Sequence, residues 1–70
     1  MKITVKARFD TQKQSIERYG PEKYLMNLPF PGDSSAVPAM VSMLSKSMGI
    51  PPHRIEFVAV DNLKNWIFEA

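Results

Sequence analysis

Cations sit at Lys2, Lys6 and Arg8, with Thr4 at the fourth site of the same two-residue spacing. On an extended chain that spacing sends all of them to one side. A row of ammonium and guanidinium groups suits phosphates, because binding them releases condensed counterions. Lys64, far along the chain, is expected to join Lys2, Lys6 and Arg8 in such a nucleic-acid-binding stripe. A solvated outer face whose charges deter aggregation accounts for the same residues more simply. Tyr19, Tyr24 and Trp66 supply rings for base stacking, but they form no RNA-binding signature.

The remaining polar groups offer less. Gly32-Asp33-Ser34-Ser35 leads into a helix start, where free N–H groups attract anions. No Gly-Lys-Ser/Thr sequence accompanies it and Asp33 repels phosphate, so helix capping is the better account. His53 is the only histidine, between Pro52 and Arg54, with no second ligand or nucleophile in its neighbourhood. It reads as a surface residue. The carboxylates Asp10, Glu17, Glu22, Asp33, Glu56, Asp61 and Glu69 show no paired spacing. There is no cysteine, hence no disulfide framework and no thiolate metal site. Neither an enzyme nor a cofactor or metal is called for.

The elements that position these residues follow from their periodicity. Ile3, Val5, Ala7 and Phe9 alternate with Lys2, Thr4, Lys6 and Arg8, a half-buried strand with one apolar and one cationic face. Residues 15–19 and 23–28 flank Gly20-Pro21-Glu22 and read as a hairpin. Pro29-Phe30-Pro31-Gly32 cannot continue a central strand. Val37, Met40, Val41, Leu44 and Met48 then form one helical stripe, predicting a helix over about 35–48 with Pro38 in its first turn. Gly49 supplies its left-handed cap and Pro51-Pro52 bar continuation. Ile55, Phe57 and Ala59 lie in a strand apolar on both faces, Asp61-Asn62 turns the chain, and residues 65–69 form a last strand. The expected architecture is α+β, a two-layer sandwich in β-β-α-β-β order with one helix across a four-stranded mixed sheet.

Seventy residues, 44% hydrophobic and 23% charged, make a single globular domain spanning 1–70. A chain this short buries only about 60% of its unfolded surface. No apolar run approaches the roughly 20 residues of a membrane span. The alternating N-terminus is unlike a signal peptide, so no membrane is expected and the cytoplasm is the expected compartment. The net charge of +2 permits a nucleic-acid partner without requiring one.

Several segments together resemble the YggU-like family of small uncharacterised proteins. They are Met1-Lys2-Ile3-Thr4-Val5-Lys6, the helix residues Ala39-Met40-Val41 and Leu44-Ser45-Lys46, Gly49-Ile50-Pro51, Arg54-Ile55-Glu56-Phe57-Val58, and Asn65-Trp66-Ile67-Phe68-Glu69. The resemblance implies an α/β two-layer sandwich with a mixed sheet, usually closed by a second, C-terminal helix, and it implies no activity. Where the family tends to carry Gly-Lys/Arg-Ala-Asn at the helix start, this chain has Asp33-Ser34-Ser35-Ala36-Val37, one residue shorter and matching only at Ala36. In the family's Ser-Arg-x-Lys turn, Lys64 takes the arginine position, and Leu63 and Trp66 replace the serine and the second cation. No second helix fits before Ala70. The Ile50-Pro51-Pro52 step also looks like ubiquitin, whose core has the β-β-α-β-β order, but Phe68-Glu69-Ala70 is no di-glycine conjugation tail.

Met26, Met40, Met43 and Met48 suit an adaptable groove, though core packing is the commoner use. One helix covers one face of a sheet, and Leu25, Val58, Val60 and Ile67 share strands with core residues of the opposite face. Some of them are therefore expected to stay exposed and, with Trp66 at an edge, to form an interaction surface. The leading expectation is a small non-catalytic module that binds a protein partner or a second copy of itself. The alternative is an RNA- or DNA-binding accessory domain on the basic strand face. A ubiquitin-like protein without a tail stands third.

Overall fold

A computed structural model describes all residues, 1–70. The alternation at the N-terminus forms β1 (Lys2–Arg8), and the hairpin arms form β2 (Ser15–Gly20) and β3 (Lys23–Asn27). A 3-10 turn at Ser34–Ala36 leads into α1 (Val37–Met48). After a second 3-10 turn at Pro52–Arg54 the chain closes with β4 (Glu56–Val60) and β5 (Trp66–Glu69). The fold is α+β, with one α-helix and no second C-terminal helix.

The strands form one five-stranded mixed sheet in the order β2-β3-β1-β5-β4. This corrects the four-stranded β-β-α-β-β expectation, because β1 and both hairpin arms are separate strands and three of them precede the helix. It also departs from the order on which the ubiquitin likeness rested. β1 runs parallel to β3, with Val5 beside Tyr24 and Ala7 beside Met26, and antiparallel to β5, with Ile3 beside Phe68 and Val5 beside Trp66. Hydrophobicity explains why β3 rather than β2 lies against β1. β3 contributes Tyr24 and Met26 to the buried face, whereas β2 packs only the half-buried Ile16 there and carries exposed Glu17 and Arg18. The charged arm is therefore tolerated only at an edge.

One sheet face is sealed by α1. Ile3, Val5, Met26, Leu28 and Phe68 meet Met40 and Leu44 with no residual exposure, and Met43 completes the contact. Val37, Val41 and Met48, the rest of the expected stripe, pack at the margin of this core. Asp33 caps the entry by accepting from the Ser35 N–H at 2.9 Å. Gly49 ends the helix at φ 69, where an L side chain is disfavoured. The Ser45 hydroxyl fastens the exit by donating to the Ile50 carbonyl at 2.6 Å. Along the core's far side Phe9, Trp66, Phe57 and Phe68 form a continuous row, with ring centroids 5.3–5.5 Å apart and tilted planes, an arrangement favoured by aromatic quadrupoles.

Candidate functional site

The sheet face away from α1 is open. Strand alternation and register place Lys2, Thr4, Lys6 and Arg8 of β1 on it, level with Lys23, Leu25 and Asn27 of β3. Glu17 of β2 lies beyond Leu25, and Ile67 and Glu69 of β5 lie beyond Thr4 and Lys2. The centre of the face is thus cationic, and its carboxylates stand on the flanking strands. None of Lys2, Lys6, Arg8 and Lys23 takes part in a salt bridge; the one ion pair joins the Met1 ammonium to Glu69 at 2.6 Å. The Lys6 ammonium reaches across β3 to lie 5.5 Å from the ring centroid of Tyr19, which is exposed on β2.

Of the expected cationic stripe, Lys2, Lys6 and Arg8 share this face and Lys64 does not. Lys64 occupies a left-handed turn position at φ 63 and lines a hollow with Ala7, Phe9, Gly32, Val60 and Trp66, residues of the helix-side layer. Lys23 takes its place on the open face. Parallel pairing of β1 with β3 puts it there, and nothing local in the sequence signals that pairing. Tyr19 also joins the face, on the same side of β2 as Ser15 and Glu17, while an irregularity between Arg18 and Gly20 sets Gly20 opposite Lys23.

The expected apolar interaction surface divides. Trp66 is buried at 7% exposure; it faces α1 rather than solvent, because its place opposite Val5 assigns it to the inner side. Leu25 and Ile67 do lie on the open face, both half-buried, Leu25 between Lys6 and Glu17 and Ile67 between Thr4 and Ala59. Val58 and Val60 are 58% and 46% exposed, and Leu63, which the apolar grouping omitted, is 81% exposed. Val58 and Val60 belong to β4 and Leu63 to the turn that follows it. β4 is an outer strand of the sheet, so one side of its backbone has no strand partner. A bulge between Phe57 and Ala59 sets two residues opposite Ile67 and returns Val60 to the Trp66 side.

Asp61 holds that turn. Its carboxylate accepts from the Leu63 and Asn65 N–H groups, each at 2.9 Å. The Asn65 N–H chiefly keeps the carboxyl below its ordinary value; Leu63 and the Asn65 amide add to this and the Lys2 ammonium contributes least. Asp33 is shifted the same way, first by the Ser35 hydroxyl and then by the Ser35 N–H. His53 is exposed in the Pro52–Arg54 turn. A second hollow, of about 350 Å³, opens between the start of β2 and α1, lined by Gln14, Ser15, Ser42, Lys46 and Ser47 above Ile16 and Met43. No helix is long and apolar enough to cross a membrane.

Compared with known proteins, the chain matches no family model, no curated protein and no solved structure.

Proposed function

We propose that this chain is a small non-catalytic protein-interaction module of the YggU-like type, and that its binding edge is β4. One observation carries the reading. Val58, Val60 and Leu63 are each exposed on β4 and the turn after it, the one sheet edge that lacks a charged row, with Val58 toward the open face and Val60 toward the Trp66 side. The opposite edge, β2, carries Glu17 and Arg18, whereas β4 has only Glu56, at its start. Its free N–H and C=O groups can take an extended segment of a partner as a sixth strand, while the valines supply side-chain contacts; main-chain bonds give affinity and alternate side chains give specificity in such additions. The bulge limits how long a strand can be added, which favours a short segment and works against open-ended assembly.

The test uses peptides selected from a random display library against the whole chain and titrated into isotope-labelled protein. Amide shifts confined to residues 56–63, lost in Val58→Lys/Val60→Lys, support the reading. Failure to select any peptide, together with identical monomeric sedimentation of both proteins at millimolar concentration, overturns it. The substituted side chains are solvent-exposed, so the variant stays within about 0.5 kcal/mol of the parent at each site.

A further inference from the structure

We propose that the open sheet face binds single-stranded nucleic acid, with the phosphates tracking β1 and a base stacked on Tyr19. This does not rest on the β4 reading, which concerns a different edge and a different chemistry.

Charge complementarity names the ligand. Lys2, Lys6 and Arg8 lie along the central strand and Lys23 lies beside them on β3. All four side chains are exposed and none forms a salt bridge, although Lys2 acts weakly on the Asp61 carboxylate. The carboxylates Glu17, Glu69 and Glu56 stand on β2, β5 and β4, so a polyanion is guided along the middle of the sheet rather than across it. Glu69 is already matched by the Met1 ammonium. At the Lys6 and Arg8 end no β5 residue stands alongside, because β5 begins opposite Val5.

Shape and the aromatic ring decide which polyanion. The face is the broad surface of a five-stranded sheet, wider than the two-stranded ribbon that a duplex major groove admits. An exposed tyrosine on such a sheet presents a π-face to an unpaired base, the means by which open sheets hold single strands. The Lys6 ammonium, now over that ring, moves to the adjoining phosphate when a base takes its place. Neither a run of acidic side chains nor a phosphatidylserine headgroup has a planar ring to stack on Tyr19.

The experiment is fluorescence anisotropy with a labelled single-stranded oligouridylate, repeated over a range of salt concentrations. Neutralising as many as four phosphates gives a log–log salt slope of about −2.8, and Lys6→Glu/Arg8→Glu reduces it to about −1.4 or less. Tyr19→Ala weakens binding by about five- to a hundredfold, while Tyr19→Phe retains it. Every substituted side chain is exposed, and an unchanged thermal transition confirms that each variant folds. Absence of salt-dependent binding, or a Lys6→Glu/Arg8→Glu variant equal to the parent, overturns the proposal. So does equal affinity for polyglutamate or for anionic phosphatidylserine vesicles, and a duplex binding as tightly as the single strand overturns the assignment to unpaired bases.

Discussion

Replacing Gly32 with alanine tests the packing at the β1 exit. A Cβ at Gly32 falls 2.5 Å from Phe9 Cδ2, 2.7 Å from Cε2 and 2.8 Å from Cγ. All three are ring atoms, so no flexible tip can give way, and carbon atoms rest at about 3.5–4.0 Å. The ring must therefore move by about 1 Å. The ring also packs against Trp66, 5.5 Å away between centroids. Overpacking of this kind costs about 1–3 kcal/mol. Phe9 is only half-buried and has a path to solvent, which places Gly32→Ala at about 1–2 kcal/mol, the lower part of that range. A domain of this size has about 3.5–10 kcal/mol in total, and each kcal/mol moves the midpoint by about 4–8 °C. The expected result is a fall in Tm of about 4–16 °C. Trp66 is the only tryptophan, so its emission reports on the same contact and is expected to shift as Phe9 is displaced. Gly49→Ala is the contrasting case, with nothing within 4 Å of the added carbon and φ at 69. Its cost, about 1 kcal/mol, comes from the left-handed backbone alone and leaves Trp66 emission unchanged. A Gly32→Ala protein as stable as the parent, with unaltered emission, would refute the argument from close approach.

Further outcomes follow from the core, the turns and the carboxylates. Phe68→Ala, at a side chain with no exposure at the end of the aromatic row, costs about 3–5 kcal/mol and leaves much of the protein unfolded at 37 °C by circular dichroism. Lys64→Gly relieves a left-handed non-glycine residue at φ 63 and raises stability by up to about 1 kcal/mol in chemical denaturation, since Lys64 forms no salt bridge. Asp33 and Asp61 have folded-state pKa values below the ordinary 3.8. The unfolded chain therefore binds more protons in that window, and the stabilisation is complete above it and lost as pH falls through the folded values. Asp33→Ala/Asp61→Ala is expected to flatten the acid limb of the stability–pH curve, and an unchanged limb would show that neither cap contributes.

The local elements were legible from the residue pattern. The helix stripe from Val37 to Met48, its glycine stop, the alternation of β1 and the hairpin around Gly20-Pro21-Glu22 are all fixed by residues within a few positions of one another. The helix begins at Val37 rather than near 35 because Asp33 caps a 3-10 turn first, a difference of about 0.6 residue per turn that side-chain spacing does not register. Lys2, Lys6 and Arg8 were legible as one face for the same local reason. Tertiary structure decided the rest, because pairing between distant strands depends on which of them buries more apolar surface. That competition put β3 beside β1 and brought Lys23 and Tyr19 to the cationic face, while β2 was left at the edge. It turned Trp66 inward opposite Val5, and a bulge at β4 moved Val60 to the opposite side from simple alternation. A two-residue period tells which residues of one strand share a side; only register and packing tell which side faces water.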